Sequence, residues 1–133
     1  MANGNRINLT EPLFSGAFTL PARIAPTVIA LTDAATIAVD AALGNVFRVT
    51  LGGNRTLGNP TNAVDGQYLQ FEFLQDGTGT RTLTLGSSYR LGTDIAAVVL
   101  TVTANAHDFL TVRFNSVNGL FYVVGFVRGY ANV

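Results

Sequence analysis

The 133-residue sequence predicts an all-β domain: a single antiparallel β-sandwich of jelly-roll type over residues 27–133, preceded by an extended arm over residues 1–26. Three observations predict it. Apolar and polar residues alternate in short runs, the period of a half-buried strand. The runs recur about every 8 to 12 residues, with Gly, Asn and Pro between them. No window longer than a few residues carries the 3.6-residue apolar period of an amphipathic helix.

The arm comes first. Asn3, Gly4, Asn5, Pro12, Gly16, Pro21 and Pro26 punctuate isolated apolar residues, without a sustained period of either kind. Two phenylalanines and several aliphatics are too many for a solvated linker, so the arm is expected to lie on its own domain or on a neighbouring subunit. Thr27–Leu31 and Ala35–Val39 then read as brief strands. Val46–Leu51 places Phe47, Val49 and Leu51 on one face and Arg48 and Thr50 on the other. Arg55–Leu57 is a short strand ended by Gly58-Asn59-Pro60, because proline cannot donate to a ladder. Gln67–Gln75 is the clearest strand, with Leu69, Phe71 and Phe73 facing one way; Asp76-Gly77-Thr78-Gly79 is expected to turn it into a hairpin with Thr80–Leu85. The β-branched run Ile95–Thr103 reads as a central or doubly covered strand. Phe109–Asn115 and Leu120–Val127 read as a second hairpin, the last strand apolar on both parities. The echo of Arg55-Thr56-Leu57-Gly58 in Arg81-Thr82-Leu83 is too short to count as an internal repeat.

Composition narrows the function classes. Eight basic and eight acidic residues cancel, so no net field draws the chain to nucleic acid or an anionic membrane. Every basic residue is arginine, which suits interfaces better than the more strongly hydrated lysine. Only 12% of residues are charged and 48% are apolar, the composition of a surface that associates. The apolar stretch Leu13–Leu31 is broken by Pro21, Arg23 and Pro26, which argues against a signal or membrane-spanning helix. There is no cysteine.

Catalytic chemistry has little to work with. His107 is the one histidine, and Ser87, Ser88 and Ser116 lack the setting of an activated nucleophile. The carboxylates stand mostly alone in turns; a glycosidase pair needs two of them to meet in space. Asp76-Gly77-Thr78-Gly79 has one carboxylate where a calcium loop supplies several oxygens. No catalytic, cofactor-binding or metal-binding residue is assigned, and a non-enzymatic protein is expected.

Several stretches carry a resemblance. Leu31-Thr32-Asp33-Ala34-Ala35-Thr36-Ile37, the run from Phe47 through Gly52-Gly53-Asn54-Arg55-Thr56-Leu57-Gly58-Asn59-Pro60 to Thr61, Gly66-Gln67, Gln75 to Leu85, Leu91 to Ile95, and Phe126-Val127-Arg128-Gly129-Tyr130 are similar to small β-modules of tailed-phage virions. The resemblance spans residues 31–130. Such modules occur in tail-fibre parts and in head decoration. A chain that begins at Met1 with a short apolar arm and one domain resembles a decoration, or cement, protein.

That resemblance implies a location on the outer surface of the capsid after synthesis in the host cytoplasm, the major capsid protein as partner, and self-assembly as a homotrimer. The arm residues Arg6, Ile7, Leu9, Leu13, Phe14, Phe18, Leu20 and Arg23 are the expected capsid contacts, and Phe121, Tyr122 and Val123 the expected subunit interface. Linked weak contacts would add to one strong attachment. No nucleic-acid or membrane partner is expected. The competing expectation is a receptor-binding or tail-fibre tip in which Tyr89, Arg90 and Tyr130 meet a host glycan or protein.

Overall fold

A computed structural model describes residues 25–131. Among these described residues nine strands form: β1 (Val28–Ala30), β2 (Thr36–Ile37), β3 (Val46–Leu51), β4 (Arg55–Leu57), β5 (Tyr68–Gln75), β6 (Leu83–Leu85), β7 (Tyr89–Arg90), β8 (His107–Asn115) and β9 (Leu120–Tyr130). Among the described residues there is no helix, and this part of the chain is all-β as expected.

The strand order departs from a jelly roll. The larger sheet has the order β1-β3-β5-β8-β9-β7 and the smaller one β2-β4-β6. The chain therefore alternates between two sheets, and each return lies parallel to, and one strand beyond, the previous visit. Val28 stands opposite Val46 and Val46 opposite Gln70, so each of these steps along the sequence is one turn of a coil. Antiparallel pairing is confined to β5–β8 and β8–β9, which corrects the expected single antiparallel sandwich. The hairpin of β8 and β9 is present as read from the sequence. The hairpin of β5 with β6 is not: β6 joins β4 in the other sheet.

The side chains account for this winding. Ile37, Leu57 and Leu85 stack through the smaller sheet, and Phe47, Phe71 and Leu110 line up across the larger one. The Phe47 and Phe71 rings lie 5.5 Å apart and those of Phe71 and Phe73 6.0 Å, both stacked. Both columns belong to one core. A repeat the sequence reading passed over marks the coils: Thr56-Leu57-Gly58 lies in register beneath Thr84-Leu85-Gly86. Gly58 N–H donates to the Ile37 carbonyl and Gly86 N–H to the Leu57 carbonyl, each at 2.9 Å. A Cβ at Gly58 would stand 2.8 Å from the Ile37 oxygen, and one at Gly86 3.0 Å from the Leu57 oxygen, so the stack admits only glycine there.

The turn after β5 sends the chain across. Asp76 accepts from the Thr78 and Gly79 N–H groups and pairs with Arg81, whose Nη2 is 2.7 Å away. The buried Gln75 amide donates to the Arg81 carbonyl and accepts from the Arg81 N–H, both at 2.9 Å, as a neighbouring strand would. Gly79 has φ +72° and lies against the backbone of Val102 and Ala104.

Ile95–Thr103, expected to be a central strand, is an irregular cover. Leu100 alone of this run is buried, and Val99 and Val102 are more than half exposed. Its Thr101 N–H meets a side-chain carboxylate, that of Asp108, instead of a strand carbonyl. β-branched composition reports fit to a pleated sheet only where both sides of the ladder are available.

Candidate functional site: the outer face of the larger sheet

Alternation sorts the long strands into two faces. On β3, β5 and β8 the inward set, Phe47, Val49, Leu51, Leu69, Phe71, Phe73, Leu110 and Val112, is buried. The outward set forms rows across the sheet: Tyr68–Arg113–Tyr122, Gln70–Thr111–Gly125, Glu72–Phe109–Val127 and Leu74–His107–Tyr130, with Arg48 beside Glu72. The strictly alternating reading of β9 fails at two points, opposite Thr111/Val112 and opposite His107/Phe109. A bulge opposite Thr111 and Val112 shifts the register, so Phe121, Val123 and Phe126 face the core while Tyr122, Val124 and Val127 face out.

This face is apolar for an exposed surface. Tyr68, Val124, Val127 and Tyr130 each keep 52–53% of their surface exposed, and Tyr122 38%. Phe109 and Tyr130 meet edge to face with ring centroids 5.5 Å apart. Three of the chain's four tyrosines stand here, each offering an apolar ring with a polar tip. The fourth, Tyr89, is buried and donates to the Gly58 carbonyl; burial pushes its hydroxyl pKa up.

Part of the charge on the face is paired, whereas Arg113, between Tyr68 and Tyr122, forms no ion pair among the described residues. Glu72 accepts from Arg48 Nε at 2.5 Å and meets His107 Nδ1 at 2.8 Å. Burial alone would raise the Glu72 carboxyl; the hydrogen bonds to His107 and Arg48 outweigh it and hold the group below its ordinary range. What remains is a sheet surface on which exposed aromatic and aliphatic side chains stand among Gln70, Thr111 and Arg113.

The other polar clusters are committed to the fold. Asp33 forms a two-point pair with Arg55, both distances 2.7 Å, across the Gly52-Gly53-Asn54 turn. Asp40 accepts from the Asn62 amide and the Ala42 N–H, and Asp65 from the Ser116 N–H. Asp108 is 1% exposed and accepts from the Thr101 N–H, the Thr101 hydroxyl and the Gly129 N–H at 2.6, 2.8 and 2.9 Å. It fastens the irregular cover to β9. Asn54 and Asn59 bridge successive coils, accepting from the Thr82 and Ser88 N–H groups at 3.0 Å. Among the described residues, no three of His, Asp and Glu gather as a metal site would require.

These carboxylates set a pH dependence. Asp33, Asp76 and Glu72 all titrate below their ordinary values, the first two mainly through the hydrogen bonds from Arg55 and Arg81. A carboxyl depressed in the fold stabilises it above the unfolded-state pKa, and that stability is lost as pH falls through the folded value. We expect the urea midpoint to be flat from about pH 7 to 5 and to fall below about pH 4.5. A midpoint that rises on acidification contradicts these pairings.

Of the residues singled out in the sequence, the arm set Arg6, Ile7, Leu9, Leu13, Phe14, Phe18, Leu20 and Arg23 lies outside the described residues. Phe121 and Val123, expected at a subunit interface, are 2% and 8% exposed and packed in the chain's own core, so they are not available to a second copy. Tyr122 is on the surface. Tyr130 belongs to the outer face, whereas Tyr89 is interior and Arg90 caps carbonyls of its own loop. The residues missed were Val124 and Val127, and the signal was the double-apolar parity of β9, which a bulge resolves into one core face and one free face.

No family model, curated protein or solved structure matches the chain.

Proposed function

We propose that this chain is a non-enzymatic assembly module, a decoration protein that docks the outer face of its larger sheet onto major capsid subunits of a tailed phage head. The observation that carries the reading is that face: Tyr68, Tyr122, Val124, Val127 and Tyr130 stand exposed on it, and its Glu72 is already paired with Arg48 and His107. Surfaces of this kind mark protein contacts. Tyrosine is suited to the task because it covers a large area at low entropic cost. The resemblance of residues 31–130 to virion modules supplies the kind of partner. Two sheets packed face to face, an arm, a trimeric state and a place on the outer head surface belong to the same proposal.

The test is binding of the full chain to undecorated expanded heads, with Val124→Lys/Val127→Lys as the variant and mass measurement of the free oligomer alongside. Lysine is tolerated on an exposed sheet face, so the variant is expected to stay folded. Losing two aliphatic anchors at about 1.5 kcal/mol each weakens binding about 100-fold. Undiminished binding by the variant overturns the assignment of the face. Failure of both proteins to bind heads, with adhesion to host cells instead, overturns the decoration reading in favour of a receptor-binding tip.

A further inference from the structure

The row Tyr68–Arg113–Tyr122 crosses β5, β8 and β9 on the outer face, each residue directly opposite the next. All three are exposed. The other described arginines are committed: Arg48 to Glu72, Arg55 to Asp33, Arg81 to Asp76, Arg90 to the Ser87 and Tyr89 carbonyls, and Arg128 to the Val99 carbonyl. Arg113 makes no ion pair and no side-chain hydrogen bond among the described residues. The Asp65 carboxylate feels its charge without pairing with it, being held by the Ser116 N–H at 2.9 Å. The Tyr122 hydroxyl accepts from the Asn118 amide at 2.7 Å, which leaves its own proton to donate. The row therefore centres on an unneutralised cation, rich in hydrogen-bond donors and framed by two phenol rings.

We propose, on the reading of the outer face as the docking surface, that the partner presents the carboxylate of an aspartate or glutamate side chain to Arg113. Desolvation is the reason. Any surface that covers both Tyr68 and Tyr122 also covers Arg113, which stands between them. A guanidinium taken out of water without a counter-charge is strongly unfavourable, so the covering surface has to bring one. A carboxylate fits best. Its two oxygens meet the planar fork of arginine in parallel N–H···O bonds, and rings on either side exclude water and strengthen the pair. A polyanion such as nucleic acid is held by several cations along its track, whereas Arg48 on this face is already paired with Glu72 and the chain has no net charge. Val124 and Val127 add apolar area that many surfaces could match; the Arg113 pair distinguishes one partner from another.

Arg113→Leu tests this on the full chain with undecorated heads. Leucine adds apolar surface to the face, so a purely apolar contact would be kept or tightened. With a carboxylate opposite, the substitution leaves that group covered and unpaired, and affinity is expected to fall about 30-fold or more, chiefly through faster dissociation. Binding equal to or tighter than that of the unmodified chain overturns the proposal. Arg113→Lys is expected to bind between the two, because an ammonium keeps the charge and loses the fork. If it binds no better than Arg113→Leu, the charge is not what the partner reads and the proposal falls. The chain has no lysine, so Arg113→Lys also introduces its one side-chain amine at this point. Carbodiimide treatment of heads saturated with that variant is expected to join this amine to a capsid Asp or Glu as an amide, located by mass spectrometry; absence of the link overturns the proposal. Val124→Lys/Val127→Lys separates the two levels. If that variant binds heads undiminished, the docking face and the carboxylate partner fall together; if it loses binding while Arg113→Leu does not, the face stands and the carboxylate partner is overturned.

Discussion

Replacing Asp108 by Ala is expected to lower the unfolding free energy by about 3 kcal/mol, read as a shift of the urea midpoint with an unchanged slope. The size follows from burial and from what the carboxylate holds. It is 1% exposed and accepts three hydrogen bonds, from the Thr101 backbone, the Thr101 hydroxyl and the Gly129 backbone. Removing it leaves buried donors without partners, and that desolvation cost adds to the loss of the bonds themselves. Asn is a partial rescue: one amide oxygen can serve some of these donors, while its NH2 group brings two more donors to a site that already has three. Thr101→Val removes only the hydroxyl contact and is expected to cost about 1 kcal/mol. If Asp108→Ala and Thr101→Val cost the same, the two backbone bonds contribute nothing and the fastening role fails.

Phe71→Ala is expected to cost about 4 kcal/mol, while Tyr68→Ala on the same strand changes stability by no more than about 0.5 kcal/mol. Phe71 is fully buried, stacked against Phe47 and Phe73 and opposite Leu110 on β8, so its deletion opens a cavity in the core. Tyr68 begins the same strand on the other face and is 52% exposed. Chemical denaturation of the two variants reads the difference. If the outer face docks on heads as proposed, Tyr68→Ala weakens that attachment without disturbing the fold. Comparable stability losses at the two positions contradict the division into core face and docking face.

The strands were legible because period-2 alternation reports burial directly. In β3 and β5 every residue read as inward is buried. The pairing was not legible, because it depends on where a turn sends the chain. Asp76-Gly77-Thr78-Gly79 has the residues of a hairpin turn, yet Gly79 in the left-handed region against Val102 and Ala104, together with the Gln75 amide on Arg81, directs β6 into the other sheet. The coil repeat was present in the sequence as Thr56-Leu57-Gly58 and Thr84-Leu85-Gly86, but the comparison with Arg81-Thr82-Leu83 was out of register with it. On β9 the extra residue of the bulge moved Phe126 inward and Val127 outward, which alternation alone assigns the other way. The outer face was therefore largely visible beforehand: Tyr68, Tyr122 and Val124 by parity, Val127 only once the bulge was placed.

Hydroxyl-radical footprinting of the full chain, free and bound to undecorated heads, tests the docking face most directly, because tyrosine rings are oxidised where water reaches them. Tyr68, Tyr122 and Tyr130 are expected to be oxidised in the free protein and protected together on the head, with the buried Tyr89 silent in both. If the protein binds heads while all three tyrosines remain as reactive as before, the outer face of the larger sheet is not the docking surface.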